Sequence, residues 1–228
     1  MAHDPFYDLF PRRDDPPFID RKVASLTIDM QYMDAHRDGW VGRVAKAANR
    51  EDILKPRWTA IDKSLPRIRA VQEAFRAAGQ EVIHVRVAYR TSDGRDAGVA
   101  YIPTVDVDPV DRDDRDDDLL PEVAPQGDEM VFSKTSSSVF NTTSIESVLH
   151  RMGIEHLVVT GIVTDGCVEL SVRDAVDRGF EVTLVEDGCS ASTPEAHDDA
   201  IERLTDSSFI AARSADDVIA EISTLAAS

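Results

Sequence analysis

The chain is 228 residues long, 42% hydrophobic and 30% charged, with a formal net charge of −18. That length bounds it to one domain with a core large enough to fold unaided. The acidic balance, with a pI near 4.6, argues against a nucleic-acid groove and an anionic membrane surface, and no apolar run approaches the ~20 residues a bilayer span needs.

Residues 1–20 are polar and rich in proline and aspartate. They read as an irregular arm, packed on the body or on a neighbouring subunit, ahead of one domain spanning 21–228. The start, MAHDPFYDLFPRRDDPPF, has no apolar leader core, so the cytoplasm is the expected location. The only two cysteines, Cys167 and Cys189, make no disulfide framework and fit a reducing compartment. Val23 to Ile28 form the first apolar run, ending in Asp29, and suit a strand buried on both faces. Residues 30–62 read as a long polar excursion holding Trp40 and Trp58. From Ser64 the spacing of Leu65, Ile68, Val71 and Phe75 predicts a helix that stops at Gly79.

EVIHVRVA (81–88) is the second strand, in which His84 reads as a hydrogen-bonded core residue. Residues 89–128 carry no strong period. They include the acidic stretch VDVDPVDRDDRDDDLLPE (105–122), which reads as solvated surface and lacks the ligand alternation of a calcium loop. MVF (130–132) is a third strand running into Lys134. Thr143 with Glu146 predicts a capping box on a helix that ends at Gly153. HLVVT is the fourth strand. A glycine-started turn then delivers Cys167 to the opening of a helix that closes at Gly179. EVTLVED is the fifth strand, with Cys189 just after it as a structural residue. Thr193 and Pro194 start a helix, Phe209 to Ala212 are a short sixth strand, and Ser214 with Asp217 caps the last helix. Strands alternating with helices throughout predict a three-layer α/β/α sandwich on a parallel sheet.

Three polar residues, Asp29, Lys134 and Cys167, sit at the ends of three predicted strands. In a parallel sheet those ends share one edge, where such folds bind ligands. The trio has a chemical logic. A thiol is a good nucleophile only as thiolate. A carboxylate can take its proton, and an ammonium can stabilise the resulting anion. Asp165 is a second carboxylate near the thiol. It opposes thiolate formation unless it points to solvent or caps the helix. No Gly-x-Gly-x-x-Gly follows the first strand, which disfavours a dinucleotide site.

LTIDMQ around Asp29, KTSSSVFNTT around Lys134 and VVTGIVTDGCVELSVRDAVDRGFEVTLVEDGCSA around Cys167, followed by His197, resemble the isochorismatase-like cysteine hydrolase superfamily. The resemblance covers roughly residues 22 to 212. It implies a Rossmann-like six-stranded sheet in the order 3-2-1-4-5-6 and a triad of Asp29, Lys134 and Cys167. It also implies an oxyanion hole from the backbone N–H groups of Val163 and Cys167, with a cis peptide before Val163. Having the cysteine resembles the amidase branch: nicotinamidase, N-carbamoylsarcosine amidase, ureidoacrylate amidohydrolase and biuret hydrolase. The nicotinamidase metal site has no counterpart in YRTSDGRDAGVAYIP, which offers Asp93 and Asp96 but no histidine, so neither a metal nor another cofactor is expected.

The expected activity is metal-independent cleavage of a C–N bond in a small linear amide, ureido or carbamoyl compound through a thioester. A nicotinamidase-like aromatic amidase and a non-catalytic binding protein of the same fold are the alternatives. Gln31, Tyr32, His36, Trp40, Tyr89, Arg90 and Phe140 are the candidate substrate contacts, Phe140 because it matches the aromatic of the lysine-bearing motif. Homodimers or homotetramers are the assemblies the resemblance implies.

Overall fold

The computed structural model describes residues 22–91, 94–96, 114–206 and 210–225, together with Leu9 and Phe18. Six strands form one sheet: β1 (Val23–Ile28), β2 (Glu81–Val87), β3 (Val131–Lys134), β4 (His156–Ile162), β5 (Glu181–Ser190) and β6 (Ile210–Arg213). All neighbouring strands pair in parallel, in the order β3-β2-β1-β4-β5-β6. β1 and β4 are buried along their whole length, which explains why both are continuous apolar runs rather than alternating ones.

Among the described residues the α-helices are α1 (Tyr32–Ala35), α2 (Trp40–Ala47), α3 (Lys55–Ala77), α4 (Ile145–Met152), α5 (Glu169–Asp177) and α6 (Pro194–Thr205), which lie between strands, and α7 (Ala215–Leu225), which follows β6. One core cluster joins Leu26, Ile28, Leu149, Leu157 and Val172 on one side of the sheet, and a second joins Val23, Val71, Phe75, Val158 and Val218 on the other. This is the expected three-layer sandwich. Among the described residues no helix is long and apolar enough to cross a membrane.

Several elements differ from the sequence reading. The excursion over 30–62 contains α1, α2 and the first turns of α3, which begins at Lys55 rather than Ser64. Pro56 sits in its first turn, where its missing N–H costs nothing. Pro66 lies inside the helix and hid its continuity. The Thr143–Glu146 capping box does not form. Thr143 Oγ1 accepts from Ile145 N at 3.2 Å, and Glu146 instead pairs with Arg178 at 3.1 Å. β5 extends to Ser190, so Cys189 lies within it. The β4–β5 register shifts between Val159 and Gly161, which pair with Leu184 and Cys189. The caps at Thr193 and Ser214 form as expected, to Ala196 N and Asp217 N, both at 3.2 Å. β6 begins at Ile210; Phe209 lies outside the described residues.

Of the N-terminal arm, Phe18 is fully buried in the second core cluster. Its N–H donates to Glu221 at 2.6 Å, and its ring lies edge-on to His156 with Arg213 above it. This point of the arm docks on its own domain.

Candidate active site

Three chain segments converge at the carboxyl edge of the sheet. Asp29 follows β1 with φ +54°, a left-handed conformation that Asp tolerates better than most residues. Its N–H donates to Val85 O on β2. Lys134 ends β3 and pairs with Val87 in the register, so its side chain must pass the end of β2 to reach Asp29. The loop after it is knitted by its own hydroxyls. Thr142 Oγ1 accepts from Thr135 N at 3.1 Å, Ser136 Oγ donates to Ser138 O at 2.8 Å, and Ser171 Oγ accepts from Val139 N at 3.2 Å. The polar run in KTSSSVFNTT therefore shapes the loop that holds the lysine.

Cys167 lies after β4 in a tight turn, Thr164–Val168, which is kinked at Gly166 and precedes α5. The thiol therefore sits just ahead of α5 rather than in its first turn. The peptide between Ile162 and Val163 is cis, and the Val163 carbonyl accepts from Gly166 N at 2.9 Å and Val168 N at 3.2 Å. Val163 and Cys167, the two expected oxyanion donors, thus bracket this one turn. Gly161 permits the approach of β4 to β1. Its φ is +122°, and a Cβ there would stand 2.0 Å from Ile28 O.

Lys134 Nζ lies 2.8 Å from Asp29 Oδ2, and donates to Cys167 Sγ at 3.3 Å and to Ser136 O at 3.0 Å. Asp29 and Lys134 are fully buried and Cys167 is 8% exposed. The Asp29 contact is an ion pair rather than a well-angled hydrogen bond, and neither carboxylate oxygen accepts a hydrogen bond of good geometry. Burial raises the Asp29 pKa, outweighing the lowering by Lys134 and by the nearby Cys167 thiol. A buried carboxylate beside the thiol, with a raised pKa, is a competent proton acceptor. Asp165 is exposed, so solvent screens its charge from the thiol. Cys189 differs from Cys167: burial pushes its thiol pKa far up, and its Sγ donates to Val159 O at 3.9 Å.

The expected substrate contacts divide. Tyr32, His36 and Trp40 gather on α1 and the start of α2. The Tyr32 ring lies 4.4 Å from that of His36, and Arg115 covers its other side at 4.1 Å. Tyr32 also packs in the cluster holding Ile162 and Val163, beside the thiol-bearing turn. Trp40 N donates to Asp116 at 2.9 Å. Arg90 is exposed and donates to Thr142 O on the lysine-bearing loop at 3.0 Å. Gln31 directly follows Met30 and Asp29, with its carboxamide held by backbone. Its Nε2 donates to Val87 O and Asp116 O, and its Oε1 accepts from Val87 N. The carboxamide is fully buried and its bonds to backbone brace the end of β2. Phe140 lies in the same core cluster as Cys167. It packs on Phe180 at 6.0 Å beneath Arg178 and belongs to the core.

Of the nicotinamidase-like metal positions, Asp93 lies outside the described residues. Asp96 accepts from Arg90 N, Thr91 N and the Thr91 hydroxyl, as a turn residue does. Much of the 105–122 segment is also outside the described residues, but Asp116 within it is 1% exposed and forms a bidentate pair with Arg43. It is an internal tie, not solvated surface. The sequence reading missed this pair. It also missed Arg57, a buried side chain of α3 that binds Asp34 and the Ser192 hydroxyl. Arg57 thereby ties α3 to α1 and to the loop after β5.

Known proteins share sequence and fold with this chain. Ureidoacrylate amidohydrolase RutB of Caulobacter segnis is 28% identical over 202 residues, covering 82% of this chain and 80% of that protein. N-carbamoylsarcosine amidase of an Arthrobacter species is 35% identical over 127 residues, covering 51% of this chain and 45% of the enzyme. A cysteine hydrolase from Pseudomonas syringae pv. phaseolicola has the same fold, with a TM-score of 0.74 at 24% identity, over 93% of this chain and 97% of that one. The isochorismatase domain profile matches residues 51–217, and the chain belongs to the isochorismatase family.

Proposed function

We propose that this protein is a cysteine amidohydrolase that cleaves the terminal C–N bond of a small ureido or carbamoyl compound through a thioester on Cys167. The observation that carries the reading is the buried contact of Lys134 with both Asp29 and Cys167, at 2.8 and 3.3 Å. Its relatives include enzymes named for ureidoacrylate and N-carbamoylsarcosine, both carboxylates with a terminal carbamoyl amide, and an anionic substrate of that shape is the first to test.

In this mechanism Asp29 takes the Cys167 proton while the Lys134 ammonium stabilises the thiolate. The sulfur attacks the carbamoyl carbon. The resulting oxyanion is held by the N–H groups of Val163 and Cys167, donors of a kind worth roughly 3–4 kcal/mol each. Collapse breaks the C–N bond, and the proton on Asp29 leaves with the amine as ammonia. Water, deprotonated by Asp29, then cleaves the thioester, releases the acid and restores the thiol.

The test is ammonia release over a panel of ureidoacrylate, N-carbamoyl amino acids, biuret, nicotinamide and simple amides, with Cys167→Ala and Cys189→Ser as controls. Turnover of a carbamoyl compound that is lost in Cys167→Ala and kept in Cys189→Ser supports the reading. Turnover confined to nicotinamide moves the protein to the aromatic amidases, and equal activity in wild type and Cys167→Ala removes the cysteine mechanism.

A further inference from the structure

We infer that His197 is a positioning residue for the proposed nucleophile, acting through Thr164. The inference rests on the thioester reading above. His197 stands in the first turn of α6, and its Nδ1 lies 2.9 Å from Thr164 Oγ1. Thr164 is fully buried. It directly follows Val163 and stands three residues before Cys167, so its side chain grips the segment between the two oxyanion donors. The turn's own backbone bonds are short-range, closing on the Val163 carbonyl, and Gly166 within it is non-helical. The turn's other polar side chain, Asp165, is exposed.

The support on the other side is firm. α6 is started by Pro194, capped by Thr193 and anchored in the core by Ala200 and Leu204. A hydrogen bond from this helix to Thr164 fixes the rotation of the turn, and with it the direction of the Cys167 sulfur and both N–H groups. Displacements of about 1 Å at reacting atoms can cost up to ~100-fold in rate, so a bond that never touches substrate can govern turnover. Nothing in this role calls for contact with substrate, so binding should be spared.

The experiment compares His197→Leu, His197→Asn, Thr164→Val and the double variant His197→Leu/Thr164→Val, with Cys167→Ala as the reference. His197 is half-buried beside a groove of about 550 Å³, so leucine fits without overpacking, and asparagine keeps a hydrogen-bonding atom near the Nδ1 position. The expected result is a roughly tenfold fall in kcat for His197→Leu and Thr164→Val, with KM within about twofold. The double variant is no worse than either single, because both remove the same bond, and His197→Asn recovers most of the rate. Alkylation of Cys167 by iodoacetamide in a Cys189→Ser background gives the same ranking without any substrate. Wild-type kcat in His197→Leu, losses that multiply in the double variant, or a His197→Asn as slow as His197→Leu would overturn the positioning role. Full activity in Cys167→Ala would instead overturn the underlying hydrolase reading, so the two failures are distinct.

Discussion

Asp29 and Lys134 form an ion pair with no exposure to solvent. Removing two charges from water costs several kcal/mol per ion, and such pairs are poor devices for stability alone. Breaking one is worse than removing both. Lys134→Met leaves a buried carboxylate uncompensated and should lower unfolding free energy by roughly 3–5 kcal/mol. Asp29→Asn/Lys134→Met should recover much of that loss while remaining inactive. Urea denaturation of the single and double variants measures this; a double variant less stable than Lys134→Met would show that the pair stabilises the fold. The three residues were legible because each ends an apolar strand, and parallel strands end on one edge. Arg57 with Asp34 and Arg43 with Asp116 were not legible. Each joins residues that only the folded chain brings together, and neither carries a local pattern.

The strands were read correctly as elements because their apolar runs, even the short ones of β3 and β6, are bounded by turns. The helices between β1 and β2 were harder: α1 has four residues, α2 eight, and α3 carries Pro66 in its interior, which reads as a break in the sequence. The Thr143–Glu146 spacing misled because Arg178 competes for Glu146. Two element-scale predictions follow from packing and charge. At the β1–β4 contact, Gly161→Ala would drive a Cβ into Ile28 O and occupy a φ of +122°, so we expect a loss of stability above about 3 kcal/mol, read as a lowered Tm, with loss of activity. Wild-type Tm would contradict the close approach.

β2 is tied to α3 through His84, Glu129 and Arg76. Burial lowers the His84 pKa below its ordinary 6.5. The Glu129 pKa is lowered from 4.5 to about 2, because hydrogen bonds and the Arg76 charge outweigh burial. Both groups bind protons more readily when unfolded, so stability falls with acidification. The His84 contribution starts to be lost below about pH 6.5. The Glu129 contribution is present above 4.5 and is lost as pH falls toward 2. Thermal melts across this range should show a decline that flattens below pH 6.5 in His84→Gln; an unchanged slope in that variant would contradict the assignment.

The whole molecule is a single sheet sandwich whose N-terminal arm is fastened at Phe18, beneath Arg213 and against α7. Phe18→Ala should cost about 3–5 kcal/mol in unfolding free energy, while leaving the Cys167 edge of the sheet and its alkylation rate unchanged. A variant as stable as wild type would mean that the arm is not fastened here. We propose a homodimer or homotetramer, as the family resemblance implies, and sedimentation equilibrium of the full chain would test it, a monomer at micromolar concentration being the contrary result.

The most direct test of the account is mass spectrometry of enzyme acid-quenched during turnover of a carbamoyl substrate, followed by peptide mapping. We expect an acyl adduct on the peptide carrying Cys167, absent from Cys167→Ala and unaffected by Cys189→Ser. Turnover with no adduct on Cys167 under conditions where it should accumulate, or an adduct on Cys189 instead, would contradict it.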